Sequence, residues 1–82
     1  MARKLAGKIT HYFPKVGVAV LALNSELSVG DLIEIEKEGS VVKQEVKSMQ
    51  IDHKAIQKAK KGTEIGLKVY NDVKPGSLVY IV

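Results

Sequence analysis

The sequence contains no cysteine, and its only aromatic residues are three tyrosines and one phenylalanine. Without cysteine the chain has no disulfide, no thiol nucleophile and no thiolate ligand for a metal ion. Small secreted domains usually depend on disulfides, so this absence favours a cytoplasmic location.

Long apolar segments are also missing. No apolar run approaches the ~20 residues that a helix needs to span a bilayer. The segment Met1–Gly7 is basic but is not followed by an apolar stretch, which argues against a signal peptide. We therefore expect no membrane partner.

Motifs for phosphate binding and catalysis are absent as well. The chain has no G-x-x-x-x-G-K-[ST] loop, no G-x-S-x-G elbow and no H-E-x-x-H pair. We therefore expect a protein that is not an enzyme and that binds no nucleotide and no cofactor.

The titratable residues do not form an obvious site. His11 and His53 would share a metal ion with Asp52 only if the fold brought them together, and we predict no metal site. Glu34 and Glu36 lie two positions apart on a predicted strand, a spacing more typical of a solvated face than of acid–base catalysis.

Length and composition predict one domain with one core. The chain has 82 residues, of which 45% are hydrophobic, an ordinary share for a globular domain. A domain of this size buries only about 60–65% of its unfolded surface, so little of the chain can be spared from folding. We assign residues 1–7 to an N-terminal tail and residues 8–82 to a single β-domain.

Alternation of apolar and polar residues predicts strands along most of the chain. Val16–Leu23 is apolar on both faces, which is typical of a central strand. In Leu32–Glu36 the alternation turns Ile33 and Ile35 inward. Leu78–Val82 is predicted to be the closing strand.

Two further strands and a turn follow from the same pattern. Lys8–Phe13 is a predicted strand that ends at Pro14. Glu64–Tyr70 is another, with its inward positions at Ile65, Leu67 and Val69. Between the predicted strands, residues 37–40 form a hairpin turn.

The middle of the chain is less regular. In Val41–Ile51 the apolar positions change phase between Val46 and Met49, which predicts a β-bulge near residues 47–48. Two structures suit Asp52–Gly62: a helix of about two turns, or an irregular loop with one helical turn in residues 53–61.

A short phrase of a turn glycine, a polar residue and a strand recurs three times, at Gly30, Gly62 and Gly76. Glycine supplies the positive φ that a type II turn needs. Repeated turns of this kind predict an all-β fold, a meandering or Greek-key barrel.

The charge is basic, with a formal net charge of +4 and a pI near 9.4. Such a balance favours polyanionic partners. The most basic segment, residues 54–61, has four lysines and no acid, although a solvated face explains it equally well. We predict a nucleic-acid-binding surface formed by Lys54, Lys58, Lys60, Lys61, His53 and Lys8.

The few aromatic residues offer one more binding feature. Tyr12 and Phe13 are adjacent on a predicted strand, so their side chains point to opposite faces. One of them is therefore a candidate for stacking on a base, although both are more often core or rim residues.

Two protein families resemble this pattern. The segment from Glu45 to Ile56, with Gly62–Val69, resembles the second domain of translation elongation factors, more closely elongation factor one alpha than Tu. The resemblance covers roughly Lys8–Val82. It implies a closed antiparallel β-barrel of six to seven strands that contacts RNA and the ribosome. It also departs from that family: Asp52 stands where the factors carry a histidine, and there is no GTPase domain.

The second family is that of the collagenase-like peptidases. Their C-terminal barrel has a similar Ser-Val-Gly-Asp turn before a Glu-rich strand, here Ser28–Glu36. That resemblance implies an accessory domain.

The chain thus supports two functions. The first is a binding module for RNA, the ribosome or other translation components, acting through its lysines. The alternative is a protein-interaction or assembly module with no RNA role, in which the apolar C-terminal strand pairs with the edge strand of a partner.

Overall fold

The computed structural model describes residues 3–82, in which ten β-strands form and no helix occurs. The strands are β1 (Lys4–Phe13), β2 (Val18–Leu23), β3 (Leu27–Ser28), β4 (Leu32–Lys37), β5 (Ser40–Glu45), β6 (Met49–Ile51), β7 (Lys54–Ile56), β8 (Lys58–Ala59), β9 (Glu64–Lys68) and β10 (Leu78–Ile81). The all-β prediction is confirmed.

Eight strands form one antiparallel sheet in the order β5-β4-β10-β1-β2-β9-β6-β7, while β3 pairs with β8 separately. As predicted, β2 is central, since it lies between β1 and β9. Ala19, Leu21 and Leu23 are buried on one of its faces, and Val18 and Val20 are half-buried on the other.

The core is formed by one face of the curled sheet. Ile33 and Ile35 on β4 and Ile65 and Leu67 on β9 are buried as alternation predicted, and so is Val69 just beyond β9. They pack with apolar side chains from the other strands, among them Ile9, Leu21, Leu27, Val46, Met49 and Val79. One continuous core therefore spans the sheet.

The sheet is barrel-like, but no strand ladder closes it among residues 3–82, so the predicted closed barrel of six to seven strands is not confirmed. A side chain of the edge strand β5 instead contacts the end of β9, the third strand from the opposite edge of the sheet. Gln44 on β5 donates from Nε2 to the Lys68 carbonyl at 2.9 Å, and its Oε1 accepts from the Tyr70 N–H at 3.4 Å.

The segment Val41–Ile51 changes phase as predicted, but the cause is a change of partner and not a bulge. The chain leaves β4 after Glu45, and the backbone of Val46 exchanges hydrogen bonds with Gly30 and Asp31. At Met49 it joins β9, on the far side of β1 and β2. The bulges of the structure lie in β1, near Ala6 and Thr10.

Both predictions for Asp52–Gly62 were wrong, because this segment contains strands β7 and β8. Asp52 and His53 form the two-residue turn between β6 and β7, with Ile51 opposite Lys54. The burial of Ala59 explains β8, since it pairs with Leu27 and joins the core. Contacts with distant strands thus override a helical pattern that is only about two turns long.

Two expectations for the chain ends also need correction. Strand β1 begins at Lys4, inside the predicted tail of residues 1–7; Ala6 is buried, and its carbonyl accepts hydrogen bonds from Asn24 and Ser25. Residues 1 and 2 lie outside the described residues. The C-terminal strand β10 lies between β1 and β4, so it has no free edge for a partner strand.

Within residues 3–82 there is no helix long and apolar enough to cross a membrane. The cytoplasmic location stays a prediction.

Candidate functional site: a groove on the outer face

The outer face of the sheet carries a shallow groove across β1, β2, β9 and β6. Strand pairing aligns His11, Val20, Gly66 and Gln50 in one row, and sets Phe13, Val18 and Lys68 in a neighbouring row. The groove is lined by Phe13, Val16, Val18, Val20, Gln50, Asp52, His53 and Gly66, and its volume is about 530 Å3. We call this set of residues the outer groove.

The floor of the outer groove is low because Gly66 has no side chain. Val18 and Val20 of β2 are half-buried beside it. A Cβ placed on Gly66 would lie 3.1 Å from Cγ of Gln50 and 3.3 Å from Cγ1 of Val18, tighter than ordinary contact. A larger residue at position 66 would therefore fill the groove or displace its walls.

One wall of the outer groove is aromatic. The Phe13 ring is 51% exposed, an unusual placement for the only phenylalanine of the chain. It stacks on the His11 ring at a centroid distance of 6.4 Å and an interplanar angle of 29°. Both residues are exposed on the outer side of β1, and the Phe13 ring offers an apolar surface to a ligand.

The opposite wall is the tight turn between β6 and β7. Asp52 and His53 have φ angles of 50° and 64°, the left-handed region that non-glycine residues visit infrequently. Two consecutive positive φ angles characterise the type I′ turn, whose twist matches that of a hairpin. The turn therefore holds two polar side chains, one of them a carboxylate, at the rim of the groove.

Cations border the groove at the Phe13 end. Lys68 lies opposite Val18, and its Nζ donates a hydrogen bond to the Val16 carbonyl at 3.1 Å. Lys15 is exposed in the turn between Phe13 and Val16. The groove thus combines an apolar centre, one acidic side chain on the rim and two lysines at one end.

The residues predicted from sequence to bind nucleic acid lie on different elements. Only His53 lines the outer groove, and Lys54 follows it at the start of β7. Lys58 on β8 pairs with Glu26 at 3.4 Å.

The other predicted lysines lie elsewhere. Lys60 and Lys61 are in the turn after β8, where the Gly62 N–H bonds to the Leu23 carbonyl. Lys8 is exposed on β1, opposite Ala22 on β2. The binding role of these lysines stays a prediction.

Sequence reasoning missed most of the groove. The apolar outward positions of β2 predicted only a central strand. Gly66 was predicted only to lie in the alternating strand Glu64–Tyr70, with no role in a groove. The usable signal was the pair of adjacent aromatic residues: of the two, Phe13 is the exposed one, as alternation required, while Tyr12 is half-buried.

Two other concave regions are less suited to a ligand. A polar cleft of about 220 Å3 lies between β5 and residues 72–77. On the outer face of β4 and β10, Arg3 lies 4.0 Å from the Tyr80 ring centroid and pairs with Glu34 and Glu36 at 3.1 and 3.0 Å. The hydrogen bond with Glu34, and then that with Glu36, raises the pKa of Arg3. These charges already satisfy one another.

Within the described part of the chain, no three His, Cys, Asp or Glu side chains are close enough to hold a metal ion.

No family model matches the sequence. A protein of Methanocaldococcus jannaschii, described as an uncharacterized protease, is 39% identical over 77 residues, a match that covers 93% of this chain. The chain spans only 19% of the length of that relative.

Two solved structures have the same fold. The C-terminal domain of a Geobacillus thermoleovorans protein described as a U32 peptidase superposes with a TM-score of 0.88 at 18% identity, over 96% of this chain and 92% of that chain. The selenomethionine variant of that domain gives a TM-score of 0.86 at 21% identity, over 94% and 98%. The resemblance to collagenase-like peptidase domains is therefore supported at the level of the fold, whereas the resemblance to elongation factors is not.

Proposed function

We propose that the chain is a non-catalytic accessory module and that the outer groove is its binding surface. One observation carries the accessory role: the structural match covers almost all of both chains, and its counterpart is a C-terminal domain in the Geobacillus protein. The match in the archaeal relative is likewise confined to about a fifth of that protein. A translation role has no such support.

The geometry of the outer groove favours it as the binding surface. An exposed aromatic ring and half-buried valines lose contact with water when a ligand covers them, which favours binding. The polar groups of the β6–β7 turn give such a ligand an orientation. The Arg3 cluster, formed by Arg3, Glu34, Glu36 and Tyr80, offers no comparable combination, because its charged groups already pair with one another.

A protease assay tests the non-catalytic role. The chain is incubated with fluorescein-labelled casein, and we expect no release of labelled peptides. Hydrolysis that follows the chain through purification would contradict a non-catalytic function.

For the binding surface, the 15N-labelled chain is screened by NMR against small planar fragments such as indole, benzamide and adenine. We expect the shifted amides to cluster at residues 13–20, 50–53 and 66. Shifts that centre on the cleft beside β5, or no shifts at all, would show that the outer groove is not the binding surface.

A further inference from the structure

We propose that the outer groove binds an unpaired base of single-stranded RNA, with Phe13 as the stacking surface. This inference rests on the proposed function, since it names the ligand class of the same surface. It places the nucleic-acid contact at the groove and not on the lysines of residues 58–61.

The aromatic wall favours a flat ligand. Phe13 is half-exposed, and the His11 ring lies beside it at a centroid distance of 6.4 Å. Stacking of a base on an aromatic side chain increases the affinity for RNA whichever base it is, because every base has a π-face. The base would lie over Val18 and Val20, where Gly66 leaves room for it.

The polar wall matches the edge of a base. Asp52 lines the groove as a hydrogen-bond acceptor, and the Gln50 amide beside it both donates and accepts. A carboxylate accepts hydrogen bonds from an exocyclic amino group, which adenine and cytosine carry and uracil lacks. The rim therefore favours bases that carry an amino group.

The surrounding charge favours a polyanion over a polypeptide as the occupant. Lys15 and Lys68 lie at the Phe13 end, and Lys54 follows the β6–β7 turn, whereas Asp52 is the only acidic residue that lines the groove. The whole chain carries a formal net charge of +4. Phosphates on either side of a bound base would reach these lysines, and each contact would release counterions.

The test uses fluorescence anisotropy of the whole chain with a labelled oligoadenylate of about eight nucleotides, a length comparable with the ~4–16 nucleotides that one small nucleic-acid-binding β-barrel covers. Phe13→Ala is expected to weaken binding about tenfold, the lower part of the range for loss of one stacked base. The matched control is Leu32→Ala, because Leu32 is 47% exposed on β4 in the other half of the sheet. It is expected to change affinity less than about twofold, within the range of neutral surface substitutions.

A salt titration separates the lysines. The double variant Lys15→Ala, Lys68→Ala should reduce the magnitude of the negative slope of log K against log salt by about 1.4, because each single-stranded phosphate contact contributes about 0.7. The double variant Lys43→Ala, Lys74→Ala removes the same amount of charge away from the groove. Its salt dependence should stay steeper than that of the Lys15→Ala, Lys68→Ala variant. NMR spectra confirm that each variant is folded.

The possible outcomes distinguish failure of the RNA inference from failure of the proposed binding surface. RNA binding that is equally affected by Phe13→Ala and Leu32→Ala overturns the inference, and so does the absence of RNA binding. If unfolded casein binds instead and Phe13→Ala weakens it, the inference fails but the proposed binding surface stands. If neither ligand binds and planar fragments do not reach the groove, the proposed binding surface fails as well.

Discussion

At the residue scale, Gln44 joins two distant parts of the sheet. It is one of the few buried polar residues, 8% exposed, and its amide satisfies the Lys68 carbonyl and the Tyr70 N–H. In a closed barrel a backbone ladder would do this. A buried amide is strongly stabilising here because its loss would leave backbone groups without partners.

Gln44→Leu is therefore expected to lower the free energy of unfolding by about 2 kcal/mol, since each unsatisfied buried polar group costs about 1–3 kcal/mol. Urea unfolding measures the change. The exposed neighbour Lys43 provides the control, and Lys43→Leu should stay within about 0.5 kcal/mol. Similar losses in both variants would show that Gln44 does not stabilise the contact between β5 and the end of β9.

Tyr12 is a second residue with a distant partner. Its hydroxyl donates to Oδ1 of Asp72 at 3.0 Å. That hydrogen bond, together with desolvation and the charge of Asp72, raises the pKa of Tyr12 above its ordinary value of about 10. The neutral phenol is thus favoured in the folded state.

The raised pKa has a consequence for stability. The stabilisation from the Tyr12–Asp72 hydrogen bond is fully present below about pH 10, where the phenol is neutral in both the folded and the unfolded state. It is lost as the pH rises through the folded-state pKa of Tyr12. Tyr12→Phe should therefore be less stable than the parent at neutral pH, and the difference should shrink above about pH 10. Urea unfolding across this range measures it, with Tyr70→Phe as the exposed control. A difference that does not change with pH would contradict the assignment.

At the element scale, one of two similar hairpin turns was predicted from the sequence and the other was not. The turn at residues 38–39 was predicted, because Gly39 supplies one of its two positive φ angles, 85°. The turn at Asp52–His53 has no glycine and was predicted to be part of a helix or loop. Its conformation is set by pairing of β6 with β7 and β9, contacts that a local pattern does not contain.

The two turns give a matched pair of variants. Glycine relieves the strain of a positive φ, so His53→Gly and Glu38→Gly should each stabilise the chain, by about 0.5–1 kcal/mol after the entropy cost of glycine. Only His53 lines the outer groove. Urea unfolding should show two stabilised variants, and anisotropy should show weakened RNA binding in His53→Gly alone.

Equal binding by both glycine variants would mean that the His53 side chain does not contribute to the groove. A loss of stability in His53→Gly would mean that the β6–β7 turn is not strained.

At the scale of the whole molecule, period-two alternation was enough to predict an all-β chain, its central strand and the inward residues of β4 and β9. It did not predict how β5 meets the end of β9, because that contact depends on one side chain, Gln44, which bonds to residues 24 and 26 positions away. Nor did it predict the groove, which exists only because β1, β2, β9 and β6 become neighbours.

The binding surface follows from this arrangement. One face of the curled sheet is buried in the core, and the Arg3 cluster covers part of the other face. What remains is a band in which an aromatic ring, two valines and a glycine are left accessible beside lysines. The lysines of residues 58–61 lie at the other end of β2 and β9, near Leu23.

The most direct test is an amide chemical-shift map of the 15N-labelled chain titrated with oligoadenylate. We expect the largest shifts at residues 13–20, at Gly66 and in the β6–β7 turn. The same amides should need about tenfold more RNA to reach equal shifts in Phe13→Ala. Shifts confined to residues 58–61, with residues 13–20 unchanged, would contradict a binding groove on this face of the sheet.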